Sequence, residues 1–257
     1  MPRRIVLHAG FHKTGTSTVQ QFLRQNRMAL MPALAIRLKG QMPELMHAAR
    51  GYSTWGDPIT LAKVADRLDT LLAGLPGMPR RTLVLSGEEL SGHMPGRRQI
   101  NDYSAAVDLA KLYTEVIGAH FPEAELAFYF TTRNPDTWRE SAYWEHVKSA
   151  SMTLDFEDYV DRYPDAADLQ KTVEAVRAAI PHDVHSASID DGDTITPLLD
   201  LCGVPSSLYS DLPRPKASNT RPPKDVLLEL LTANRAYPDR AARKAAKQDI
   251  LGKVQSK

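Results

Sequence analysis

The 257-residue chain is 42% hydrophobic and 25% charged, proportions that exclude wholesale disorder and suit one domain with a single sizeable core. Its formal net charge of +1 gives no bulk electrostatic case for nucleic acid or a membrane surface, so any anion site must be local. No apolar run approaches the roughly 18 residues of a membrane span, and the N-terminus lacks a signal-peptide core; with Cys202 the single cysteine, a cytoplasmic protein is expected.

In chain order, short runs rich in Val, Ile, Leu, Phe or Tyr predict buried parallel strands at 4–8, 82–86, 126–132 and 184–189. Helices are expected over 16–29, 58–73, 103–119, 135–148, 166–179, 194–201 and 224–234. In the first of these, Val19, Phe22 and Leu23 form an apolar stripe at helical spacing. The alternation of strand and helix argues for an α/β fold: a three-layer, doubly wound, mostly parallel sheet with helices on both faces. One domain over 1–257 is expected, with 238–257 a basic C-terminal helix or tail. Residues 30–57 and 89–101 read as long loops that interrupt this pattern, and the proline-rich 211–223 as an extended connector. Cys202, beside Leu198, Leu199 and Leu201, reads as a small buried hydrophobe, and no histidine cluster has metal-site spacing.

The stretch HAGFHKTGTS follows the first strand, with Gly10 and Gly15 five positions apart and Thr16-Ser17 opening the next helix. A strand, a glycine-containing turn and a helix N-terminus together present backbone N–H groups and a positive dipole end to a phosphate. Lys13 adds a full charge from the loop, while Thr14, Thr16, Ser17 and Thr18 add hydroxyls. A kinase P-loop needs lysine where this chain has Thr16, so the loop is P-loop-like without that residue.

FHKTGTST resembles the 5′-phosphosulfate loop of the sulfotransferase superfamily, with His12 in place of the usual proline. The resemblance implies 3′-phosphoadenosine 5′-phosphosulfate as donor, cradled by Lys13, Thr14, Gly15, Thr16, Ser17 and Thr18. It also implies a second anion site for the ribose 3′-phosphate, formed by an arginine at a strand end and a serine eight residues later. Arg133 and Ser141 stand at that spacing, with Asn134-Pro135 a ready helix start between them. Residues 216–235 are similar to a C-terminal stretch of bacterial members that closes over the donor, which adds Lys216, Asn219 and Arg221.

Sulfuryl transfer asks for in-line positioning, charge stabilisation on the departing phosphate and a base for the acceptor; no metal is required by this logic. TLVLSGEELSG places Glu88 and Glu89 at the carboxyl edge of the second predicted strand. It resembles the Ser-Ser-Glu-x-Leu segment of bacterial sulfotransferases, which puts Glu88 on the base. His8, ending the first strand, is the competing base, and Lys13 is the cation for the bridging oxygen. His47 and Trp55 are candidates to line the acceptor pocket, Arg97 and Arg98 hint at acidity in the acceptor, and Trp144 lies by the adenine or anchors its helix. The expected activity is a nucleotide-binding transferase acting on a small-molecule or glycan hydroxyl, with a glycolipid included. The alternatives are a P-loop nucleotide kinase or NTPase and a non-catalytic nucleotide-binding protein on the same fold. Oligomeric state leaves no trace in the sequence.

Overall fold

A computed structural model describes residues 1–98, 100–215 and 223–255. In chain order the elements are β1 (Arg4–His8), α1 (Thr16–Gln25), the short α2 (Arg27–Leu30), β2 (Leu34–Leu38), α3 (Pro43–Trp55), α4 (Pro58–Ala73) and β3 (Thr82–Ser86). There follow α5 (Ala105–His120), β4 (Glu125–Thr132), α6 (Pro135–Ser149), α7 (Phe156–Arg162), α8 (Leu169–Ala179), β5 (Asp183–Ser188), α9 (Thr196–Leu201), α10 (Lys224–Ala236) and α11 (Arg240–Gln255).

The five strands pair in parallel in the order β2-β3-β1-β4-β5. Successive side chains of a strand face opposite sides of the sheet, and β1 shows the result. Ile5 and Leu7 join the core beneath α3, α4, α5 and α8, whereas Val6 joins Val19, Phe22, Leu23 and the α9 leucines on the other face. The fold is therefore the three-layer, doubly wound α/β architecture, and Cys202 is buried in the second core. From β1 the chain steps outward to β2 and β3, then crosses to β4 on the other side. The strand order thus reverses around β1, the place where open α/β sheets bind ligands beyond their carboxyl ends.

Residues 30–57 correct the expectation of a long loop: they hold an edge strand, β2, and a 13-residue helix, α3. The strand is only five residues long, and its pairing from Leu34 opposite Thr82 to Leu38 opposite Ser86 is a long-range event. Within α3, Gly51, Ser53 and Thr54 weaken the local helix signal, yet Leu45, Met46, Ala48, Ala49 and Tyr52 are buried against the sheet and its neighbours. His47 is exposed and Trp55, at the end of α3, is 67% exposed, and neither is among the residues that line the cleft at the ligand edge of the sheet.

The basic C-terminal stretch forms α11, packed beside α10. Lys247 is 7% exposed, and its ammonium donates to the Val147 carbonyl at 2.5 Å, the Ala150 carbonyl at 2.7 Å and Asn234 Oδ1 at 3.0 Å. Asn234 of α10 donates in turn to the carbonyls of Val147 and Met152 at 3.0 and 2.8 Å. The Val147 and Ala150 carbonyls lie at the end of α6, where a helix leaves them without intrahelical partners, and Met152 lies in the segment just after it, so α10 and α11 together cap α6.

Candidate functional site

The loop from Ala9 to Gly15 is shaped from below. Thr14 Oγ1 donates to the Phe11 carbonyl at 2.6 Å and lies 2.6 Å from Thr131 Oγ1 of β4; Thr16 Oγ1 donates to the same carbonyl at 3.1 Å. These hydroxyls brace the loop from inside: Thr14 is fully buried, whereas Thr16, 4% exposed, still lines the cleft. A Cβ on Gly10 would meet Thr131 Oγ1 at 2.4 Å and Thr16 Oγ1 at 2.6 Å, so this glycine serves the loop's inward packing. Gly15 adopts φ +90, and a Cβ there would press on Ile189 Cδ1 at 2.8 Å. No side chain caps the start of α1, which leaves the N-terminal N–H groups facing the cleft.

The cleft has a volume of about 910 Å³, within the usual range of small-molecule sites. His12, Lys13, Gly15, Thr16, Ser17 and Thr18 of the loop and α1 line it, together with Arg133 and Ser141, and Glu88, Glu89, Arg50, His93 and Arg97 line it as well. Arg133 comes to the loop directly: its Nη1 donates to the Lys13 carbonyl at 3.2 Å, and its Nε to Thr137 Oγ1 at 3.1 Å. The expected helix start is present, with Asn134 accepting from the N–H groups of Asp136 and Thr137 at 3.0 and 3.3 Å and Pro135 at the first helical position. Eight residues after Arg133, Ser141 shares a face of α6 with Trp144, Glu145 and Lys148, all lining the cleft. Lys216, Asn219 and Arg221 lie outside the described residues.

His8 is fully buried beneath the loop, with Nδ1 2.8 Å from Ser86 Oγ, and does not line the cleft. Its imidazole braces β1 against β3 rather than facing an acceptor. Glu88 does line the cleft: Oε1 pairs with Lys39, and Oε2 accepts from Gln20 Nε2 at 3.1 Å. Burial pushes its pKa up, but the hydrogen bond and charge of Lys39, joined by His12, outweigh burial and hold the carboxyl below its ordinary value. Glu89 pairs with Arg50 at 3.1 Å and keeps Oε2 buried without a hydrogen-bond partner among the described residues; burial and then the Glu88 charge raise its pKa.

Several cleft residues carry no motif. Glu145 gathers three cations, Lys13 at 3.2 Å, Lys148 at 3.4 Å and Arg97 at 4.0 Å. Burial opposes ionisation, yet Ser149, Lys13 and Lys148 bring its pKa down to about 2. Its signal was the helical spacing from Ser141, four residues earlier. Among the described residues no group of three or more His, Cys, Asp or Glu is placed to hold a metal ion, and no helix is long and apolar enough to cross a membrane.

No protein-family model and no curated protein sequence matches the chain. One solved structure, from Chloroflexus aurantiacus and described as a candidate kinase, is similar over 77% of this chain and 95% of its own, at 14% identity and a TM-score of 0.35. The P-loop-like reading therefore rests on this chain's own strand order and loop.

Burial also sets an acid limit. His8 and His146 are fully buried, and desolvation pushes each pKa down to about 4. Unfolded histidines titrate near about 6.5, so the unfolded chain binds more protons in between and stability falls as the pH drops from about 6.5 towards 4. Each buried ring contributes about 1 kcal/mol per pH unit in that window. Urea midpoints at pH 7 and pH 5 should show the loss, and His146→Gln should flatten the slope; equal slopes in parent and variant would contradict it.

Proposed function

We propose that this chain is a sulfotransferase that moves a sulfuryl group from 3′-phosphoadenosine 5′-phosphosulfate to an acceptor hydroxyl, on a carbohydrate, glycolipid or other small molecule. The observation that carries the reading is the Arg133 guanidinium, held 3.2 Å from the Lys13 carbonyl while Ser141, Lys13 and the α1 N-terminus open onto the same cleft. That arrangement offers one adenosine nucleotide two anion pockets, the loop for the 5′-phosphate and the Arg133–Ser141 wall for the 3′-phosphate.

The acceptor oxygen attacks sulfur in line, forming the new S–O bond as the bond to the 5′-phosphate oxygen breaks. That oxygen departs with the electron pair, against the loop N–H groups and Lys13, and the acceptor proton passes to the Glu88 carboxylate. Lys13 must exchange Glu145 for the donor. Thr16, in the kinase lysine's place with its hydroxyl bonded to the Phe11 carbonyl, counts against a nucleotide kinase.

Thermal unfolding with added ligand tests this. 3′,5′-Adenosine bisphosphate at about 100 times its Kd adds about 2.7 kcal/mol of stability, which is read as a rise in Tm. The shift should shrink in Arg133→Ala and be largely lost in Lys13→Ala. A larger shift with magnesium–ATP than with the bisphosphate would favour a P-loop kinase or NTPase instead, and bisphosphate binding without transfer to any acceptor would favour a non-catalytic binding protein.

A further inference from the structure

His12 stands on the loop next to Lys13 and lines the cleft. Its backbone N–H donates to the Tyr103 hydroxyl oxygen at 3.2 Å, and its Nδ1 lies 3.1 Å from that same oxygen. Tyr103 is 2% exposed, and burial keeps its phenol protonated well past neutral pH. The oxygen already accepts the His12 N–H, so the phenol has one proton to place. A buried donor left without an acceptor loses its hydrogen bond to water and gains nothing in return, so that proton needs a partner. Among the described residues His12 Nδ1 is the hydrogen-bonded neighbour that can take that proton. Nδ1 is then the lone-pair nitrogen, and the ring proton sits on Nε2.

With Nδ1 turned to the buried Tyr103 hydroxyl, Nε2 is the ring nitrogen left for the cleft that His12 lines. The His93 ring lies 6.3 Å away between centroids, and Glu88, Lys39 and Arg97 complete the charges acting on the imidazole. Burial, with His93, Lys39 and Arg97, brings its pKa down to about 3 against the pull of Glu88, so the ring is neutral under ordinary conditions. A neutral ring also leaves Glu88 free of a competing imidazolium.

We propose that His12 is a catalytic residue whose Nε2–H, set by the Tyr103 hydroxyl, donates a hydrogen bond to a non-bridging oxygen of the sulfuryl group in transit. The inference rests on the sulfotransferase reading. His12 keeps its proton throughout; its contribution is to hold the group in line between the leaving phosphate oxygen and the attacking oxygen. Tyr103 acts through His12 and is a positioning residue.

Two measurements test it, one independent of turnover. In protein carrying ¹⁵N-labelled histidine, the resonance lost in His12→Gln should be a neutral Nε2–H tautomer that does not titrate between about pH 5 and 8. It should shift on binding 3′-phosphoadenosine 5′-phosphosulfate but much less with 3′,5′-adenosine bisphosphate, which lacks the sulfuryl group. An Nδ1–H tautomer, an imidazolium at pH 7, or equal shifts with both nucleotides would overturn the proposal. In kinetics, His12→Phe should lower kcat about 100-fold, the scale of one lost transition-state donor, with bisphosphate affinity changed less than about threefold. His12→Gln keeps an N–H donor and should recover at least a tenth of the parent rate. Parallel losses of kcat and bisphosphate affinity would mark a merely structural role and sink the idea. Failure of the parent to transfer sulfate would instead sink the functional reading, while the tautomer and the selective shift would still report the contact.

Discussion

Glu88→Gln should bind 3′,5′-adenosine bisphosphate as tightly as the parent yet transfer sulfate about 100- to 10,000-fold more slowly, the range expected for loss of a general base. The substitution is isosteric, and the Gln20 amide retains a side-chain oxygen to donate to. Lys39, whose side chain is 40% exposed, returns to solvent when its carboxylate partner is removed. A fold defect is therefore not the expected cause of lost turnover, and an unchanged urea midpoint checks this. Because the hydrogen bond and charge of Lys39 hold the Glu88 carboxyl below its ordinary range, the base is ionised at neutral pH. Its acid limb in kcat should appear only as the pH falls through that depressed value. Retained turnover in Glu88→Gln, with loss in Glu89→Gln, would move the base to the carboxylate whose Oε2 has no partner among the described residues.

Trp138→Ala should cost about 3–5 kcal/mol of stability, the range for deleting a large core aromatic. Trp138 is fully buried in α6, meets Tyr103 edge-on at 6.3 Å between ring centroids, and donates its indole N–H to the His12 carbonyl at 2.9 Å. Its removal opens a cavity and also releases the loop from the helix that carries Ser141 and Glu145. Trp138→Phe separates the two effects. It keeps most of the ring volume but loses the donor, so a stability loss of about 1 kcal/mol is expected, with a disproportionate fall in bisphosphate affinity. Urea unfolding and the ligand-induced Tm shift, measured on the same samples, decide this; equal binding in Trp138→Phe and parent would show that the indole N–H does not hold the loop in its binding form.

Much of this architecture was legible from local pattern. The strands at 4–8 and 82–86 match the structure, β4 starts one residue earlier than expected, β5 is shifted by one residue at both ends, and the helix start at Asn134-Pro135 holds. The turn from β1 into α1 was legible too, because glycine spacing and hydroxyl residues at a helix start are local facts. What local pattern does not carry is partnership across the chain. β2 exists through its register with β3, and the inward turn of Thr14 and Thr16 depends on Thr131, more than a hundred positions away. The same limit applies to Glu145, which gathers Lys13 and Arg97 only after α6 is laid across the loop, and to His12, whose ring nitrogen meets a tyrosine on the far side of two strands and four helices.

The clasp made by Lys247 and Asn234 bears on how this chain can be handled at the bench. Trimming the last two dozen residues as a disposable tag-like extension would uncap the segment that presents Ser141, Trp144 and Glu145. Such a shortened protein would lose nucleotide affinity from a distance, with every residue of the cleft still in place.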